Sequence, residues 1–192
     1  MARKKTRAIL SGSDWVSKFP TSKEVADLAS PFREDVESFI AALQDAGASI
    51  DISATYRPKE RAYLMHYAYA IARQGLDPSA VPVMAGVDIE WAHRKGNGQI
   101  DLVASKNAAE DMVSDYGIVY APALSSNHTL RLAIDMTITW SGALELKNAS
   151  GRKVKISSTP RSGQNAALHK VGASYGVLKL ASDPPHWSVD GH

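Results

Sequence analysis

Two imidazoles and one carboxylate, His128, Asp135 and His186, are of the types that could share a metal ion. Zinc accepts imidazole nitrogen and carboxylate oxygen, and a catalytic zinc site keeps three protein ligands with a fourth position open for water. The chain has no cysteine, which excludes thiolate zinc sites, iron–sulfur clusters, disulfide scaffolds and cysteine nucleophiles. Any metal must be held by the six histidines and the carboxylates.

The spacing sets conditions. In a regular strand, positions 128 and 135 have opposite parity and lie about 23 Å apart at ~3.3 Å per residue. The chain must therefore turn between them, and Ser125-Ser126-Asn127 offers a polar loop that would fold His128 over the strand bearing Asp135. Near the C-terminal end of the sequence stands Asp183-Pro184-Pro185-His186. Two prolines favour polyproline II, which repeats every three residues and would put Asp183 and His186 on one side. Asp183 would then sit beside the metal as a base for a water whose pKa the metal lowers towards about 7.

The pattern Ser-x-His-x-x-Gly-x-Ala-x-Asp, followed by an acid three residues before a His, resembles the zinc D-Ala-D-Ala carboxypeptidase and L-alanyl-D-glutamate endopeptidase family. That family includes phage endolysins and vancomycin-resistance dipeptidases, and it shares its fold with the hedgehog signalling domain. Ser126, His128, Ala133, Asp135, Asp183 and His186 match. Ser53-Ala54-Thr55-Tyr56-Arg57-Pro58 is similar to the family's Ser-x-Tyr-Arg segment at a strand-to-helix junction. The resemblance spans about residues 30–188. There are two departures. Arg131 stands where the family usually has Gly, so the backbone there is expected not to be left-handed. Asp183 replaces the commoner Glu, which shortens the base's reach by one methylene.

The resemblance implies hydrolysis of a peptide bond in peptidoglycan stem peptides, with Zn2+ held by His128, Asp135 and His186. Asp183 would act as general base and then general acid, and Arg57 would hold a substrate carboxylate or the developing oxyanion. Substrate contacts are expected from Arg57, Tyr56, Ser126 and Trp187. For Arg57 the competing reading is a structural pair with Glu60 or Asp51, and for Trp187 it is core packing. A catalytically inactive, zinc-stabilised wall-binding module is the alternative function. A serine hydrolase using Ser174 is a third reading. Gly172-Ala173-Ser174-Tyr175-Gly176 fits the nucleophile-elbow pattern, but that elbow needs a strand before the Ser and a helix after it, the reverse of the order expected here.

The elements that must position these groups are readable in part. Thr21-Ser22-Lys23-Glu24 has capping-box spacing and predicts a short helix over 22–29. Ser30-Pro31 then opens an amphipathic helix with Val36, Phe39, Ile40 and Leu43 on one face and Gly47 as its stop. Residues 48–55 predict a strand, and 58–74 a helix ended by Gly75. Residues 87–91 could be a strand or a turn, 94–98 a loop, and 105–116 a helix. Leu130, Leu132, Ile134, Met136 and Ile138 alternate with polar or small residues, the clearest strand signal in the chain. Residues 143–147 and 152–157 predict a hairpin, 163–171 a helix and 175–180 a strand. Helices first and strands later predict an α+β fold of hedgehog/DD-peptidase type, a central antiparallel sheet with flanking helices. The expectation is a single domain over 1–192, with 1–29 as a helical extension packed on it.

The composition fits a globular protein: 44% hydrophobic, 22% charged and a net charge of +2, too small to imply a nucleic-acid partner. The basic start Arg3-Lys4-Lys5-Thr6-Arg7 leads into only a short apolar run, so neither signal peptide nor membrane span is expected. The chain is expected to be a monomer made in the cytoplasm, reaching the wall after holin release or through a secretion machine. Asp88, Glu90 and His93 are read as a solvated loop anchored by Trp91 rather than a metal site, and His66 as packing. The basic run over 141–165 is either a solvated hairpin or a lining of the cleft. Asp190 and His192 are expected to fray.

Overall fold

Ile134, Met136 and Ile138 alternate with Asp135, Thr137 and Thr139 along the strand on which the largest sheet is built. The computed structural model describes residues 8–192, and the basic segment 3–7 lies outside the described residues. In chain order the elements are β1 (Ile9–Leu10), α1 (Phe32–Asp45), β2 (Ser49–Ala54), α2 (Lys59–Gln74), β3 (Ile89–Glu90), α3 (Leu102–Asp115), β4 (Ala133–Thr139), β5 (Leu144–Lys147), β6 (Lys153–Ile156), α4 (Ala166–Ser174), β7 (Leu178–Lys179) and β8 (His186–Ser188). The fold is thus mixed α/β, with four α-helices among the described residues and an antiparallel four-stranded sheet in the order β2-β4-β8-β7.

The described chain divides into two compact units, one from residues 8–20 and 58–124, the other from 21–57 and 125–192. In the second unit, α1 lays Phe32, Val36, Phe39 and Leu43 on the sheet's core face, where Ile134, Met136 and Ile138 meet them. Gly47, at φ 81°, ends α1 as expected: its N–H donates to Gln44 and that of Ala48 to Leu43. The β5–β6 hairpin adds Leu144, Leu146 and Ile156 to the same core. Its tip is closed by the Asn148 side chain, which accepts from the Arg152 N–H. Gly172 in α4 is required by proximity, because a Cβ there would fall 2.8 Å from the Trp187 ring and from the Val177 carbonyl.

In the first unit, α2 and α3 pack around a separate core that includes Trp15, Tyr63, Leu64, Trp91 and Met112. Gly75, in the left-handed conformation, stops α2 at the expected position. β1 and β3 form a short parallel pair.

Several expectations shift, each for a local reason. Residues 22–29 hold only a 3-10 turn at Val25–Asp27. Their donors are taken by tertiary pairs instead, Ser22 N–H to the Tyr56 carbonyl and Ala29 N–H to that of Arg131, while Ser22 Oγ caps Glu24 N–H. Helix α4 begins at 166, not 163, because Asn165 is its cap. Gly176, at φ 80°, delays the following strand to 178. The strand expected from 130 begins at Ala133, and Leu130 is 56% exposed.

Candidate metal centre

Asp135 on β4 lies directly opposite His186 on β8, so both side chains stand on the same face of the sheet. Ile134 and Trp187, the next register pair, take the other face. His128 arrives by the turn its spacing demanded. The Thr129 and Leu130 N–H groups return to the Ser126 carbonyl, and those of Arg131 and Leu132 donate to His128 and Asn127. This is the closure of a helical turn by a left-handed residue, and that residue is Arg131, at φ 65°. The expectation of a non-left-handed backbone there is therefore corrected. Arg tolerates the position at a steric cost of about 1 kcal/mol, and its guanidinium lies 4.2 Å over the Tyr56 ring.

Three ligand atoms converge. His128 Nε2 lies 3.1 Å from Asp135 Oδ1 and 3.2 Å from His186 Nδ1, and His186 Nδ1 lies 2.9 Å from Asp135 Oδ1. Tetrahedral ligands at 2.0–2.1 Å from an ion stand about 3.3 Å apart, so the triangle has the dimensions of one face of such a site. The outer nitrogens decide which lone pairs point inward. His128 Nδ1 donates its proton to the Thr55 carbonyl at 2.8 Å, and His186 Nε2 donates to the His192 carbonyl at 3.1 Å. With those protons placed outside, both inner nitrogens and the carboxylate oxygen are acceptors facing one another. Such a cluster needs a proton or a cation between its members. The three residues could hold a metal ion, and they form the single such group among the described residues.

In the metal-free chain a proton on His186 takes the cation's place beside Asp135. Burial disfavours charge on Asp135, but the hydrogen bonds and positive potential of His128 and His186 prevail and hold its carboxyl far below the ordinary range. Burial also works against protonation of His186, and its contact with Asp135 outweighs that and raises its pKa. Both imidazoles are nearly inaccessible, at 4% and 8% exposure.

A cavity of about 520 Å³ opens over these atoms, and Arg57, Ser126 and Asp183 line it together with the three ligands. Ser126 Oγ is buried without a hydrogen-bond partner. The Arg57 N–H donates to the His128 carbonyl, which ties the segment after β2 to the His128 loop. Asp183 and His186 share a side through a turn, not through polyproline II: the His186 N–H donates back to the Asp183 carbonyl, and the Pro185 carbonyl accepts from Met136. The two prolines bend the chain into β8.

Two expected substrate contacts fall elsewhere. Trp187 is fully buried in the core against Phe39, since strand alternation sends it away from the face that carries His186. Tyr56 packs under Arg131 and does not line the cavity. Nor does any residue of the basic run 141–165, of which Lys155 pairs with Glu145. Ser174 is the last residue of α4 and precedes β7, the reverse of a nucleophile elbow, and its hydroxyl donates to the Val171 carbonyl. His93 bonds Ser11, Glu90 accepts from the Ala92 N–H, and Trp91 is buried, in line with a structural role for that cluster. His66 bonds the Pro122 carbonyl.

Four supporting groups had no sequence signature. The Thr55 and His192 carbonyls orient the imidazoles, and backbone oxygens carry no residue-type signal. Asn127 Nδ2 donates to both Asp190 and the His192 carbonyl, so the segment expected to fray is tied down. Lys179 Nζ donates to the Leu180, Asp183 and His186 carbonyls, satisfying its three protons within the turn that carries Asp183. Burial pushes the Lys179 pKa down, against the pull of Asp183 and Asp135.

Compared with protein-family models and with curated proteins, the chain matches none. Among the described residues no helix is long and apolar enough to cross a membrane.

Proposed function

We propose that the protein is a zinc peptidase that hydrolyses peptide bonds in peptidoglycan stem peptides, with the fold of the hedgehog/DD-peptidase type. The observation that carries this reading is the convergence of three inward-facing lone pairs, on His128 Nε2, His186 Nδ1 and Asp135 Oδ1, beneath an open cavity. Two imidazoles and a carboxylate without thiolates suit zinc. A zinc ion there would polarise a substrate carbonyl and make water acidic enough to ionise near neutral pH.

The chain's own groups divide the remaining work. Asp183, on the turn before the His186 ligand, takes the proton of the attacking water and returns it to the leaving amine. Arg57 holds a substrate carboxylate or the oxyanion, for which its planar fork is suited. Ser126 lines the same cavity, while its Oγ is buried without a partner and is not presented to a substrate there. The return of the chain through Arg131 supports the family resemblance in spite of the missing glycine.

The test is turnover of purified peptidoglycan, with released muropeptides identified by mass spectrometry. The reading requires release by the zinc-loaded wild type, loss on chelation, and loss in Asp183→Ala with zinc still bound. Zinc binding without release of any fragment would instead identify a wall-binding module.

A further inference from the structure

Asp190 is a carboxylate outside the ligand set that lines the same cavity as His128, Asp135 and His186. Its hydrogen bonds fall on one oxygen. Oδ1 accepts from Asn127 Nδ2 at 2.7 Å, from Ser188 Oγ at 3.2 Å and from the His192 N–H at 3.1 Å. None of these three bonds uses Oδ2. We propose that Asp190 is a specificity-determining residue, which receives through Oδ2 a primary ammonium group of the peptide substrate beside the metal centre. The inference rests on the peptidase reading and names a chemical feature its substrate must carry.

Three physical points support it. First, the carboxylate is pre-organised: three donors from three different residues fix its plane, so binding a cation does not have to order it. Second, the His192 N–H stabilises the charged form most, and with the weaker help of Asn127 and Ser188 it overcomes burial and lowers the Asp190 pKa. Third, a carboxylate accepts hydrogen bonds and donates none, so its natural partner is a group rich in N–H and positively charged. The cavity also presents Arg57. A cation and an anion beside one reaction centre complement a peptide that carries both a carboxylate and an ammonium group.

Two sources of ammonium are chemically equivalent at this point, the α-amine at the start of the peptide and the side-chain amine of a diamino acid within it. A set of four stem peptides separates them, with each amine either free or acetylated. Affinity for zinc-loaded protein is measured by calorimetry, and hydrolysis by chromatography. The wild type should bind one free-amine peptide about tenfold more tightly than its acetylated counterpart, and the acetylation that matters identifies the source. Asp190→Asn is the informative variant, because it keeps an oxygen for the three donors and replaces only Oδ2. It should abolish the preference while zinc affinity, measured by chelator competition, stays within about twofold of the wild type.

Equal binding of all four peptides by the wild type overturns the inference, as does a preference that survives in Asp190→Asn. Reduced zinc affinity with the preference retained would reduce Asp190 to a clamp on the terminal segment. Failure to hydrolyse any of the peptides would sink the peptidase reading instead, and the binding preference would still decide the role of Asp190.

Discussion

Asp135 and His186 are direct cross-strand partners on β4 and β8, and the carboxylate Oδ1 lies 2.9 Å from the imidazole Nδ1. The sheet register itself therefore builds two thirds of the candidate metal centre, and only His128 comes from a loop. Removing Asp135 leaves two imidazole lone pairs facing each other. The expected result for Asp135→Ala, and for His128→Ala, is a loss of zinc affinity of at least about 100-fold, read by chelator competition. In the wild type, zinc at 100 times its Kd should add about 2.7 kcal/mol of stability. A melting temperature indifferent to zinc would contradict the site.

The pH dependence of the metal-free protein follows from the same contact. Asp135 has its pKa below the ordinary 3.8 in the folded chain, because the two histidines overcome the effect of burial. Its contribution is present above pH 3.8 and is lost as pH falls towards the folded value. His186 has its pKa above 6.5, the Asp135 contact outweighing burial, so its contribution is present below pH 6.5 and is lost as pH rises through the folded value. Chelator-treated protein should be most resistant to urea between about pH 4 and 6.5, and Asp135→Asn should flatten both limbs. Zinc should move the optimum upward, since ligand imidazoles bind it deprotonated. Denaturation midpoints across pH 3–8 would reveal either pattern.

Lys179 spends its three protons on the turn between β7 and β8. Lys179→Met keeps the stem and removes the charge. Since the ammonium is only half-buried, solvent compensates for much of the loss, and a cost of about 1 kcal/mol is expected, or roughly 2–4 °C in Tm. On the proposed peptidase reading, the larger effect should be on kcat, because the turn that carries Asp183 loses its three hydrogen bonds from Lys179. Lys179→Arg should recover the Tm better than kcat. Equal losses in both would indicate general destabilisation.

At Arg131 two small effects oppose each other. Glycine would relieve about 1 kcal/mol of left-handed strain and forfeit about 0.5–1 kcal/mol of guanidinium–aromatic contact with Tyr56. Arg131→Gly should therefore be close to neutral. Arg131→Val loses the contact and worsens the strain, and should cost about 1–2 kcal/mol. Chemical denaturation of the two variants side by side checks the ordering, and a Val variant as stable as Gly would deny the left-handed turn.

Asn127 holds the His192 carbonyl that orients His186. Asn127→Ala should weaken zinc binding by about 10-fold, within the range typical of groups behind a ligand, with little change in Tm of the metal-free protein. An unchanged zinc affinity would show that His186 is oriented without this clamp.

Residue types and spacing alone determined the ligand candidates, the need for a turn after His128, the helix ending at Gly75 and the β5–β6 hairpin, because each depends on local periodicity or on a residue with special backbone geometry. They also placed Asp183 beside His186, although by polyproline geometry where the chain makes a turn. Tertiary structure decided the rest. Trp187 enters the core because β8 pairs with β4, and a three-residue strand after two prolines has no periodicity to read. The 22–29 segment abandons its helix because distant carbonyls take its donors. The orientation of both imidazoles depends on the carbonyls of Thr55 and His192, 73 and 6 residues away along the chain, and every residue type carries that same group.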